Sequence, residues 1–206
     1  MNKTELQTVG TAPTTMSRKT FLRLTLGTAA AVSFAPLTGC SKPGRKLRFA
    51  TINDALAETA LIEANLATVQ MQQPWSLYKV LEHMAQSMEY SMTGYPQMES
   101  AALMTAGRFV FFNVFKPQGY MSHDLGAPVP GAPDIADDGP LEEAFLRYRN
   151  ACSDFQNFTG AVMPHFTYGE LSYEDWEIAH AFHAADHYSS LTYETVGEDV
   201  GETAPV

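Results

Sequence analysis

Cysteine is scarce, with only Cys40 and Cys152 in 206 residues. No disulfide framework can be built from them. Cys152 sits inside an amphipathic helical pattern, where a thiol is a small core group rather than a nucleophile. Basic residues are also few, 13 against 23 acidic ones, for a formal charge of −10. Lys3, Arg18, Lys19, Arg23 and Glu5 carry all the charge before Cys40, leaving 9 basic residues against 22 acidic ones beyond it. That balance excludes nucleic acid as a partner. The mainly apolar run from Leu24 to Pro36 falls short of the about 20 residues that cross a bilayer. Convincing apolar–polar alternation is missing too, so no sheet is predicted. What is present, 45% hydrophobic and 11% aromatic residues, suits one domain with an ample core and is too little for two comfortable ones.

Residues 17–40 have a basic start, an apolar centre and a small-residue end, the layout of a secretory signal. Leu37-Thr38-Gly39-Cys40 resembles a lipobox, in which Cys40 is lipidated and becomes the mature N-terminus. Ser17-Arg18-Lys19-Thr20-Phe21-Leu22-Arg23 resembles the twin-arginine export motif, with Lys19 in place of its second arginine, so the Tat and Sec routes both stay open. Met16 competes with Met1 as the start. These readings make residues 1–40 an export signal and 41–48 a linker containing proline and glycine. They place the protein on the periplasmic side of a membrane, the outer one in a double-membraned cell because Ser41 follows the cysteine. Residues 193–206, acidic and without an apolar face, are expected to be a mobile tail.

Between them, residues 49–192 read as a bundle. Thr51 and Asp54 form a capping-box pattern ahead of a helix over about 53–69. Trp75-Ser76 opens a second helix with a stripe of Leu77, Val80, Leu81, Met84 and Met88, stopped by Gly94-Tyr95-Pro96. His83 lies at the edge of that stripe, where it could face a cleft or be half exposed, the second being expected from its position alone. Residues 98–115, ending in Phe109, Phe111, Phe112 and Phe115, read as a deeply packed third helix. A crossover loop rich in glycine, proline and aspartate follows. Its His123 and Asp124 can in principle join a metal or act as acid and base, with nothing to fix their direction. Pro140 starts a fourth helix with Leu141, Phe145, Tyr148, Cys152 and Phe155 on one face. His165, in the next loop, has no spacing partner and reads as structural.

The last helix, Ser172 to Leu191, carries His180, His183 and His187, half of the six histidines. At roughly 100° per residue they fall within about 60° of arc, on the line of Trp176 and Ala184. Ser172 and Asp175 resemble another capping box. Buried imidazoles need partners, because an unpaired ring nitrogen in an apolar site costs about 1–3 kcal/mol. Hydrogen bonds would satisfy any one of them, and three on one face point to a metal.

Trp75-Ser76 with His83, the Gly-Tyr-Pro stop and the Trp176–His187 segment together resemble the DinB-like superfamily, in particular a branch described as a domain of unknown function. The resemblance implies an all-α fold, an antiparallel four-helix bundle with an extra helix and a long crossover. It further implies a divalent metal, zinc or nickel, on His83, His183 and His187, with His180 a neighbour. Three imidazoles leave a coordination position for substrate. His180, Asp186 and Glu82 are candidates for groups that orient the ligands. Several relatives are thiol-dependent transferases or isomerases, a chemistry that export disfavours because small thiols are mainly cytoplasmic, so a hydrolase is less constrained. His183-Ala-Ala-Asp186-His187 is not the zinc-protease HExxH pattern. The competing readings are a metal-free module at the membrane surface that binds an unidentified small molecule or partner, and a purely structural bundle. A homodimer is left open.

Overall fold

The computed structural model describes residues 45–195. The expected export signal, the lipobox with Cys40 and most of the acidic tail lie outside them. The described chain is all-α apart from one pair of two-residue strands. The main helices are α1 (Ile52–Ala64), α2 (Leu77–Thr93), α3 (Ala101–Val110), α5 (Leu141–Gln156) and α6 (Tyr173–Ser189). A π-helical turn over Phe111–Phe115 joins α3 to the short α4, Lys116–Gln118. Helices α5 and α6 each pack against both α1 and α2. Those four helices close the core, which is drawn from residues between Phe49 and Leu191.

Local chemistry sets the helix ends. Thr51 Oγ1 accepts from the Asp54 N–H while the Asp54 carboxylate accepts from the Thr51 N–H, the reciprocal capping box. Ser76 and Ser172 cap α2 and α6 by accepting from the amides of Lys79 and Asp175. Gly94, at φ 101°, ends α2 in a backbone conformation that a side chain would strain. In α5, Phe145, Tyr148, Cys152 and Phe155 are buried on one face. Burial pushes the Cys152 thiol up to about 12, as befits an inert core residue.

Several expectations are corrected. Helix α1 ends at Ala64, because Asn65 leaves helical geometry and a 3₁₀ turn over Leu66–Thr68 follows. Gln70–Met71 then pairs antiparallel with Leu191–Thr192, a pairing too short to show as alternation. The third helix is not deeply packed. No residue of α3 is buried, Phe109 is 65% exposed, and of the aromatic cluster only Phe111 is fully covered. Its sequence is apolar on too many sides for one packing partner to cover. The described parts of the linker and tail, residues 45–48 and 193–195, bond to the bundle. Arg45 pairs with Glu58 at 2.6 Å, the Leu47 N–H donates to Ser189 Oγ, Tyr193 Oη donates to Glu58, and the Glu194 N–H donates to Thr68 Oγ1.

Candidate metal centre

Four imidazoles meet where α2, α6 and the crossover loop come together. His83 from α2, His183 and His187 from α6 and His123 from the crossover loop each offer a ring nitrogen, and these four atoms lie within 4.8 Å of one another. His183 Nε2 stands 3.2 Å from His83 Nε2 and 3.1 Å from His187 Nε2. The i, i+4 spacing puts His183 and His187 on one face of α6, as expected. His83 is 5% exposed rather than half exposed, because α6 and the crossover loop cover the edge of the α2 stripe.

The fold delivers the flanking groups. The strand pair ties the α1–α2 connection to the end of α6, and the Gln72 N–H donates to Ser190 O. Gln73 and Trp75 are thereby brought against His187. Gln73 Nε2 donates to the His187 carbonyl, which turns Gln73 Oε1 toward His187 Nδ1 at 3.1 Å. Nδ1 must therefore carry the proton, leaving the lone pair on Nε2. Trp75 stacks on the His187 ring, with an interplanar angle of 12°, and meets His83 edge-on.

Asp186 fixes the loop histidine in the same way. Its Oδ2 accepts from the His123 backbone N–H at 2.9 Å and from ring Nδ1 at 2.7 Å. His123 Nε2 is then a lone-pair nitrogen, and it is buried with no hydrogen-bond partner. His83 Nδ1 is likewise buried without one.

Proton accounting shows what such a cluster needs. One neutral ring nitrogen carries either a hydrogen or a lone pair, so His183 Nε2 cannot satisfy both of its close neighbours. Protonation is not the remedy. Burial, with some repulsion from His123, pushes His83 down to about 3. Burial first and the neighbouring imidazoles second hold His183 and His187 well below the usual histidine value. Converging lone pairs on neutral imidazoles are what a divalent cation requires. Two nitrogens about 2.05 Å from a tetrahedral zinc stand about 3.3 Å apart, close to the 3.1 and 3.2 Å found between these ring nitrogens. The cluster can hold a metal ion.

Other candidate residues go elsewhere. His180, on the same arc as His183, hydrogen-bonds Ser91 Oγ at 3.0 Å and stacks on Trp176. Ser91 Oγ donates to Met88 O, so His180 Nε2 carries the proton, and burial pushes the ring down to about 3. Glu82 pairs with Arg147, which also holds Glu89 at 2.8 Å. Its position one residue before His83 turns it away from that ring toward α5. Of the three groups expected to orient ligands, Asp186 alone has a hydrogen bond to a clustered histidine, and its partner is His123. Asp124 accepts from the Gly126 N–H within the loop. His165 Nδ1 accepts from the amides of Thr167 and Tyr168, a structural role.

Sequence reasoning left His123 undirected and gave Gln73 no role. Both lie in connections, where no periodicity orients a side chain. The one available signal was Asp186, an acid on α6 turned about 100° from its ligand neighbour and therefore facing another element.

Residues 42–194 match a family model described as Protein of unknown function (DUF1569). No curated protein matches, and no solved structure does.

Proposed function

We propose that this chain, which belongs to the DUF1569 family, is a divalent-metal protein of DinB-like type, exported and anchored through Cys40, with a metal-dependent hydrolase or transferase activity. The observation that carries the reading is the convergence of imidazole nitrogens from separate elements, two with their lone pairs fixed by Gln73 and Asp186. His83, His183 and His187, all on helices, would hold the ion, and an all-nitrogen donor set suits zinc or nickel. A divalent ion bound there supplies Lewis-acid chemistry toward a carbonyl, a water or a thiol.

The chain's own residues supply orientation and exclusion of water. Gln73 and Asp186 hold two ring tautomers. Trp75 covers the His187 and His83 rings, and the ammonium of Lys79 lies 5.4 Å from the Trp75 ring centroid.

The test is elemental analysis of a chain beginning at Ser41, which keeps every core residue, beside His83→Ala, His183→Ala and His187→Ala. Near-stoichiometric metal in the parent, sharply reduced in each variant, is expected. A parent without metal after zinc and nickel reconstitution would leave a metal-free binding module instead.

A further inference from the structure

Three of the four imidazoles sit on helices, and the fourth sits on a segment with little order of its own. Residues 119–139 contain no helix or strand. Downstream, the loop is fastened to α2: Ser76 Oγ donates to Asp137 O, Lys79 pairs with the Asp137 carboxylate at 2.7 Å, and Gln86 Nε2 donates to Pro133 O. Upstream, Arg48 lies over the Tyr120 ring at 4.2 Å, and where the loop crosses the histidine cluster it is tied to α6 by two hydrogen bonds from His123 to Asp186 Oδ2.

That link does more than hold the loop. By accepting a hydrogen bond from Nδ1 it keeps the proton there and leaves the Nε2 lone pair buried and unpartnered, with the other three ligand atoms within 4.8 Å. None of those neighbours has a free hydrogen to offer: His187 Nε2 is a lone-pair nitrogen, and His83 Nε2 and His183 Nε2 face each other. A buried lone-pair nitrogen placed in this way is suited to a cation.

We propose that His123 is a fourth, loop-borne metal ligand positioned by Asp186, so that metal binding fastens the crossover loop over the centre. Release of His123 then exposes a coordination position to substrate. The proposal rests on the metal reading above. The helix histidines are held by regular elements, whereas His123 is carried on a loop without helix or strand, so exchange of ligand for substrate is assigned to it. Asp186 is a positioning residue in this scheme, acting only through the His123 ring.

The experiment uses the chain from Ser41 with zinc as the probe and measures two quantities, zinc affinity by chelator competition and amide hydrogen exchange across residues 119–139 with and without zinc. In the parent, zinc is expected to slow exchange around His123 by about tenfold or more. His123→Ala should bind zinc about 10–100-fold more weakly and, when saturated, show no zinc-dependent slowing in the loop. Asp186→Ala should behave similarly while leaving every ligand in place, and it serves as the second variant if His123→Ala fails to fold. Parent-like affinity and loop protection in both variants would overturn the proposal while leaving the three-helix-histidine site standing. A parent that binds no zinc would overturn the metal reading itself.

Discussion

One carboxylate oxygen of Asp186 accepts both the backbone and the ring N–H of His123, at 2.9 and 2.7 Å. A residue on the last helix thus sets the direction of an imidazole 63 positions earlier, in the crossover loop. Coupling of that kind means that changes at Asp186 act on the histidine cluster and on the loop together.

Metal should stabilise the fold by mass action. At a free zinc concentration about 100 times the dissociation constant, the gain is about 2.7 kcal/mol, or roughly 5–10 °C in Tm for a domain of about 150 residues. A thermal melt should show that rise, its reversal by chelator and its absence in His183→Ala. A zinc-dependent rise that persists in His183→Ala would locate the binding elsewhere.

Acid should destabilise the metal-free protein. His165 and His180 are held neutral by burial, each down to about 3, so the unfolded chain binds more protons than the folded one between about pH 6.5 and 3. Stability is full above about pH 6.5 and is lost as the pH falls through that window. Each such group contributes a slope approaching about 1.4 kcal/mol per pH unit. Denaturation midpoints at pH 7 and 5 should differ accordingly. His165→Asn, which keeps an acceptor for the amides of Thr167 and Tyr168, should flatten the dependence by one group, and an unchanged slope would contradict the assignment.

The aromatic run after α3 offers a contrast between neighbours. Phe111 is fully covered and Phe109 is 65% exposed. Phe111→Ala should cost about 3–5 kcal/mol and Phe109→Ser under about 0.5 kcal/mol, from burial alone. Urea denaturation of the two variants decides it, and comparable losses would show that Phe109 is covered in solution.

Gly107 marks where α3 touches the loop that carries His165. A Cβ built there would lie 2.5 Å from Thr167 O, a backbone atom that cannot rotate away. Gly107→Ala should therefore destabilise by about 1–3 kcal/mol through overpacking, despite alanine's better helix propensity. A variant as stable as the parent in urea would mean that the loop yields freely.

Much of this protein could be read in the one-dimensional pattern. The Thr51, Ser76 and Ser172 caps, the Gly94 stop, the apolar stripes of α2 and α5 and the shared face of His183 and His187 all follow from periods and local hydrogen bonds within a few residues of one another. Tertiary structure decided what depends on distant partners. His180 shares the α6 arc with His183 but meets Ser91, since small differences along one face select different neighbours on α2. His83 is buried because α6 and the loop cover it, and Phe109 is exposed because nothing does. His123 entered the cluster through Asp186, and a loop side chain has no period to give its direction. Sequence alone placed three histidines on helices; only the folding of the crossover loop back across α2 and α6 could add the fourth.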